Sequence, residues 1–457
     1  MVRIAIPTAI AALLSLVVAP TTSGIFLAQD LESRIDAAVE SVTPAIVELR
    51  HQIHANPELG NREVETARLV AERLEALGLE VETEVAHTGV VALLQGGRPG
   101  PVVAVRADMD ALPVVEDTDL PFGSTKRTEY LGQEVGVAHA CGHDIHTVVV
   151  LGVAAVLAGM REELPGTVKF LFQPAEEGPP PGEEGGATLM IEEGVLADPR
   201  PDAILGLHSF PLLETAEGAL DGVVGQVGWI AGPTQASSDH FVVTIRGRQA
   251  HGAWPHLSVD PIVTAAQAIL ALQTIRSRNL DPTEPGVVTV GIVRGGERNN
   301  IIPESVRLEG TIRTYDQKVR EAIQRRIEEI LDGVTAAAGA TYEMEIHPYA
   351  PPLVNDPDLA ERLRPAMVRA VGAENVVDVA PVMGAEDFAH YVQEVPGFYW
   401  RLGVVAPGTT SGALHTPTFR ADDTAIPVGI RVMTNLVVEA LQGEAANGDI
   451  SANRQEE

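Results

Sequence analysis

Val102-Val103-Ala104-Val105-Arg106-Ala107-Asp108-Met109-Asp110 is a short β-branched run that ends on two carboxylates. Val168-Lys169-Phe170-Leu171-Phe172-Gln173-Pro174-Ala175-Glu176-Glu177 repeats that arrangement further along, and residues 203–207 run into His208. Short apolar runs of this kind read as strands buried on both faces. Residues 90–94 add another strand. Helices separate them: residues 31–49, residues 63–77 with Ala67, Val70, Leu74 and Leu77 at helical spacing before Gly78, and the apolar stretch 147–157. Strands alternating with helices predict an α/β domain with a mixed, largely parallel sheet. Ligands of such sheets sit beyond the carboxyl ends of the strands, which is where these acids and this imidazole fall.

Around Gly232 the pattern changes. Strands are expected at 241–246, 287–293 and 306–313, with helices at 261–275 and 319–334; the second carries an apolar stripe of Ile323, Ile327, Ile330 and Val334. This stretch reads as a compact α+β insert. After Pro351-Pro352 the first pattern resumes and ends in a helix at 425–441. The expected organisation is a catalytic domain in two parts, 30–230 and 346–443, an insert at 231–345 and a disordered polar tail at 444–457.

A chain of 457 residues with 45% apolar and 21% charged residues has the composition of an ordinary globular protein larger than one core. Its net charge of −31 excludes a nucleic-acid partner, because phosphates would be repelled. Arg3, the apolar residues 4–19 and the small residues Pro20-Thr21-Thr22-Ser23-Gly24 have the three-part build of a secretory signal peptide, assigned to 1–24. The apolar part is shorter than the roughly 20 residues of a span, so the expectation is an exported protein with no membrane segment in its mature form. Cys141 is the one cysteine, which precludes an intramolecular disulfide. A lone thiol in an oxidising compartment has to be buried or bound.

The neighbours of Cys141 give it a use. In His139-Ala140-Cys141-Gly142-His143-Asp144 the glycine lets the thiolate and the His143 imidazole turn to one point, and both suit Zn²⁺ or a similar transition metal. Added to His208, His415, the Asp108/Asp110 pair and Glu176-Glu177, they make a donor set for a two-metal hydrolytic centre. Within the adjacent glutamates, one can bind metal while the other moves the proton of the attacking water.

Eight segments carry a specific resemblance. Arg106-Ala-Asp-Met-Asp-Ala-Leu-Pro113, Ala140-Cys-Gly-His-Asp144, Gln173-Pro-Ala-Glu-Glu-Gly178 and Gly206-Leu-His208 resemble, in this order, motifs of the aminoacylase-like metallopeptidases. The closest branch is that of hippurate hydrolase and indoleacetyl-amino-acid hydrolase. Asn300-Ile-Ile-Pro303, Gly310-Thr-Ile-Arg313, Gly384-Ala-Glu-Asp-Phe388 and Leu414-His415 continue the match. The resemblance implies a zinc-peptidase-like catalytic domain with an inserted lid that also dimerises. It implies two divalent ions per chain (Zn, Mn or Co) held by Cys141, His143, Glu177, His208 and His415. Glu176 would be general base and acid, and Asp110 would orient a metal-bound imidazole or tune the centre, with Asp108 competing for that role. His251 matches a lid histidine that polarises the substrate carbonyl, often in a partner subunit's site; Asn300 and Arg313 match substrate-binding positions. A guanidinium forks onto a carboxylate, which suits a free amino-acid terminus. Two features depart from the branch: the long acidic, Pro-rich loop 178–186, and Ile145 at a position often smaller. The reading is a homodimeric amidohydrolase that releases an acid and an amino acid from an N-acyl-amino acid. The alternatives are an exopeptidase or dipeptidase of the same fold and, from another class, a non-catalytic metal-dependent binding protein.

Overall fold

The structure is a computed structural model that describes residues 22–443, with side chains from Leu31 onward. The expected tail at 444–457 and all but the last three residues of the expected leader at 1–24 lie outside the described residues. Among the described residues no helix is long and apolar enough to cross a membrane.

Eight strands form the main sheet, in the order Glu80–Val85, Gly89–Gln95, Pro165–Gln173, Arg98–Asp108, Ala203–Phe210, Gly397–Gly403, Val227–Trp229 and Val376–Asp378. The three expected strands that end on acids or His208 are neighbours and parallel, Gly397–Gly403 joins them in the same direction, and the expected strand at 90–94 pairs antiparallel. Antiparallel pairs lie towards the edges. Side chains alternate between two cores. Val103, Val105, Ala107, Leu205 and Leu207 enter the larger one, with the helices Thr22–Ala55, His143–Ala158 and Ala425–Gln442. Ala104 and Ile204 enter the smaller, with Gly186–Glu192 and Phe388–Glu394. The two-residue period of a strand thus buries side chains on both faces, which is why these runs are almost continuously apolar, with buried Lys169 satisfied by the Val195 carbonyl. The helix His143–Ala158 is buried nearly all round. It begins at His143, earlier than the apolar run alone indicates, because its first turn is polar and points into the site.

A second sheet is wholly antiparallel, in the order Gly286–Arg294, Ser305–Thr314, Ser238–Arg246 and Thr341–Ala350. Its helices Pro261–Leu272 and Gln317–Ala338 start at the capping carboxylates of Asp260 and Asp316. Ile323, Ile327 and Ile330 of the expected stripe are buried in a separate core there. The strand Thr341–Ala350 was not foreseen. Apart from buried Ala350 its residues are half-buried or exposed, with Glu343, Glu345 and His347 among the exposed ones, and it runs past position 345, the expected end of the insert. The two crossings between the sheets lie side by side, as Gly232–Gln235 pairs with Leu353–Asn355. Buried Asn355 fixes that crossing to the main sheet. Its amide donates to the carbonyls of Ile230 and Tyr399, and its oxygen accepts from the Tyr399 N–H.

Candidate active site

A cavity of about 660 Å³ lies where the carboxyl ends of the central strands meet the second sheet. Cys141, Glu176, Glu177, His208 and His415 line it from the first side, and Gln235, Ser238, Arg313 and Tyr349 from the second. Backbone geometry explains how distant segments converge. Gly142, Ala175 and His415 all have left-handed φ values, +88°, +52° and +63°. Such values are uncommon outside glycine and concentrate at functional sites. At Gly142 the conformation is also forced by space, since a Cβ would stand 2.1 Å from Ser209 Oγ. The Ala175 turn is held by buried Glu63, which accepts its N–H at 2.8 Å. Burial and the charge of Asp110 push Glu63 up to about 8.

The donor atoms are ordered by hydrogen bonds made elsewhere on the same side chains. His208 Nδ1 donates to the Ser209 carbonyl at 2.8 Å, so the Nε2 lone pair faces Cys141 Sγ, 3.4 Å away. His143 Nδ1 donates to Asp110 Oδ1 at 3.1 Å, and its Nε2 is buried with no hydrogen-bond partner. Asp110 Oδ2 accepts the Glu177 N–H at 2.9 Å, so one carboxylate places both neighbours. Asp108, the competing carboxylate, lies 3.9 Å from His143 and instead binds His146 and Arg106. His415 Nε2 approaches Cys141 Sγ at 3.3 Å and Glu177 Oε1 at 2.9 Å. The second approach is off the line of a hydrogen bond, which leaves Glu177 Oε1 buried without a partner.

Ligand-type atoms fall into compact groups, each within 4.8 Å: Cys141/His143/His208, Cys141/Glu177/His415 and His143/Glu176/Glu177. Cys141 is common to the first two. Charge points the same way as geometry. Burial and the nearby Glu177, Glu176 and Asp108 push the Cys141 thiol far up, and burial with Glu386 and Glu177 pushes Glu176 well above the usual carboxylate range. Acids and a thiol crowded at the mouth of a buried cluster, with orphaned His143 Nε2 and Glu177 Oε1 among them, suit divalent cations.

His251 and Asn300 are not brought into this cavity. Both are exposed at one end of the second sheet, where Ala250–His251 pairs with Ile301–Ile302. Arg313 does line the cavity. It is half-buried, donates through Nε to Thr311 Oγ1, and among the described residues has no carboxylate in ion-pair range.

Sequence reading missed the layer behind the donors. Arg106 is fully buried and binds Asp108 at 2.6 Å, Asp387 at 2.8 Å, Glu386 at 3.1 Å and Gln173 Oε1 at 2.9 Å. Asp387 also accepts from the Gln173 amide and the Ala187 N–H, and Glu386 from the Phe388 N–H and the Tyr399 hydroxyl. Both are therefore committed as acceptors. Glu176 lies beside them, its ligand-type atom within 4.8 Å of theirs. A motif ending in two acids was the signal available, but only the fold shows that Gln173, Glu386 and Asp387 converge on Arg106. Tyr349, whose hydroxyl donates to the Glu176 carbonyl, gave no local signal.

The description of the peptidase family M20/M25/M40 matches residues 104–439. N-acetyl-L-cysteine deacetylase of Bacillus subtilis is 39% identical over 383 residues, covering 83% of this chain and 84% of that protein. IAA-amino acid hydrolase ILR1-like 2 of Arabidopsis thaliana is 34% identical over 415 residues, covering 90% and 88%. Among solved structures, the Bacillus subtilis YXEP protein, described as a dinuclear metal binding peptidase from the M20 family, superposes with a TM-score of 0.73 at 34% identity, covering 88% of this chain and 99% of that one.

Replacing Arg106 by Met keeps the volume and leaves Asp108, Glu386 and Asp387 buried together without their cation. Stranding buried partners in this way costs about 3–5 kcal/mol, so Arg106→Met should lower the denaturant midpoint by that equivalent at neutral pH. A change below about 1 kcal/mol would show that the acids shed their charge instead of relying on Arg106.

Proposed function

This chain belongs to the peptidase family M20/M25/M40 and is a hydrolase of that family, and from that premise we propose that it cleaves the amide bond of N-acyl-amino acids. The observation that carries the substrate class is Arg313: a half-buried guanidinium without a carboxylate partner, on the wall opposite the Cys141–His415 cluster. Burial lowers its pKa from the ordinary value, yet it remains a cation, and such a group is stabilised by an incoming carboxylate. A substrate whose carboxylate meets Arg313 would present its amide to Glu176. The names of the relatives, a deacetylase of N-acetyl-L-cysteine and an IAA-amino acid hydrolase, support that class.

Two divalent ions held by Cys141, His143, Glu177, His208 and His415, with Cys141 shared, would supply Lewis acidity to the water and the carbonyl. The protein's own part is proton movement and orientation. Glu176 takes the proton of the attacking water and returns it to the departing nitrogen, and the committed neighbours Glu386 and Asp387 keep that proton on Glu176. Asp110 holds His143 and the Glu177 N–H in place.

The second sheet is proposed as a lid and dimerisation face. Among the described residues, eight of the thirteen exposed large hydrophobic ones lie from Trp254 to Ile301, among them Val263, Leu270 and Val293. The strand Gly286–Arg294 is an open edge beside them. A second copy on that face would cover an apolar patch and an unpaired edge together, and it would place His251 beside another chain rather than its own cavity. Export through residues 1–24 stays part of the proposal on the composition of that segment alone.

Metal analysis of dialysed protein should approach two equivalents per chain. Glu176→Gln should keep both and lose about 10²–10⁴ in kcat; more than a tenth of wild-type turnover with both ions bound would refute its role. Arg313→Gln should lower kcat/KM about 10–100-fold for an N-acyl-amino acid and hardly at all for its methyl ester, since charge-assisted hydrogen bonds are worth about 1.5–3 kcal/mol. Equal losses on acid and ester would move the carboxylate site elsewhere, and preference for dipeptides over acyl-amino acids would favour an exopeptidase. Two inactive variants, Glu176→Gln and His251→Ala, should restore about a quarter of wild-type activity when mixed and re-associated, because each mixed dimer has one complete site. A monomer in sedimentation with full activity would exclude the shared site.

A further inference from the structure

His146 and Ser209 belong to none of the roles above, and both are fully buried behind the donor cluster. His146 Nδ1 lies 2.6 Å from Asp108 Oδ1. Its Nε2 lies 2.8 Å from the Ser209 backbone nitrogen and 3.1 Å from Ser209 Oγ. A backbone N–H can only donate, so Nε2 carries no proton and the single imidazole proton sits on Nδ1, against Asp108. Both ring nitrogens are then spent. Asp108, His143 and His146 form a compact group that could in principle hold an ion, but His146 has no lone pair left to give it.

The hydroxyl of Ser209 can be placed by the same reasoning. The Nε2 lone pair is occupied by the Ser209 N–H, so the hydroxyl proton goes to the Cys141 carbonyl, 3.1 Å away. The Ser209 carbonyl accepts from His208 Nδ1 at 2.8 Å. One residue therefore grips both the Cys141 loop and the His208 ring, and it is itself gripped by His146, which Asp108 and Arg106 hold in turn. Space agrees, since Ser209 Oγ fills the place where a Cβ on residue 142 would stand.

We infer that His146 and Ser209 are positioning residues that set the separation and direction of Cys141 Sγ and His208 Nε2, and so the affinity of the ion those two donors share. The inference rests on the metal reading above. Residues that orient donors in this way usually change metal affinity by about 10–100-fold.

The test is cobalt(II) titration of the full chain, read by thiolate-to-cobalt charge-transfer absorption and by competition with a chelator. Wild type is compared with Ser209→Ala and His146→Asn, with circular dichroism and thermal melting to confirm the fold. Both variants should bind the thiolate-linked ion about 10–100-fold more weakly, with an altered band, and lose kcat more than they change KM. A purely structural role would lower the melting temperature and leave band and affinity of the folded protein alone, which would overturn the inference. Loss of one whole equivalent in His146→Asn with none in Ser209→Ala would make His146 a ligand and overturn it too. If His146→Asn fails to fold, Ser209→Ala decides by itself. A wild-type protein with no thiolate band would sink the metal reading and this inference with it, whereas a band present in wild type and unchanged in the variants sinks this inference alone.

Discussion

Arg106 is the guanidinium of a buried layer that also contains Asp108, Glu386 and Asp387, and the geometry of the whole site is conditional on it. Burial works against its charge, and the three carboxylates outweigh burial and hold its pKa well above the ordinary value. A planar fork can satisfy acids in different directions at once, which a lysine could not do. Through Asp108 it reaches His146, Ser209 and then Cys141 and His208. Through Glu386 and Asp387 it reaches the surroundings of Glu176. The surroundings of the donors and those of Glu176 are thus anchored on the same guanidinium, near the end of a central strand.

That anchoring makes tolerable a set of backbone conformations that would otherwise be unfavourable. Left-handed Ala175 and His415 each cost free energy of order 1–2 kcal/mol, and they persist because neighbouring groups over-determine them. The Glu63 carboxylate clamps the first, and the His415 N–H is fixed to the Ala140 carbonyl at 2.8 Å. The second contact joins the late histidine to the Cys141 segment by backbone alone. The sheet brings the strand ends together, and such local fixtures add the loop residues that the sheet does not carry.

The second sheet supplies what the first cannot. The central strands end in acids, a thiol and imidazoles, a surface suited to cations and hostile to an anionic substrate on a chain of net charge −31. Arg313, delivered by Ser305–Thr314, puts a positive group across the cavity from them. Tyr349, on the strand next to the return crossing, ties that wall to the Glu176 loop. Polarity is therefore divided between the two sheets, with acids, a thiol and imidazoles on one wall of the cavity and a guanidinium on the other.

The sequence by itself determined the central parallel strands, because burial on both faces leaves a continuous apolar run that ends abruptly at the site. It determined the donor types as well, since Cys141-Gly142-His143 and Glu176-Glu177 carry their chemistry locally. The strand Thr341–Ala350 escaped it, because its apolar signal is only the alternation of Tyr342, Met344 and Ile346 between exposed Thr341, Glu343, Glu345 and His347, and not a continuous apolar run. Asp108 and Asp110 could not be told apart from two positions in one motif. Only the tertiary structure decided that Asp110 meets His143 while Asp108 meets His146 and Arg106. It alone showed that Glu386 and Asp387 back Glu176, and that His251 and Asn300 stand away from the cavity in their own chain. The physical reason is one of range. Periodicity and residue chemistry act over a few positions, whereas a hydrogen bond between residues hundreds apart depends on the angle at which two folded elements meet, and no local pattern encodes that angle.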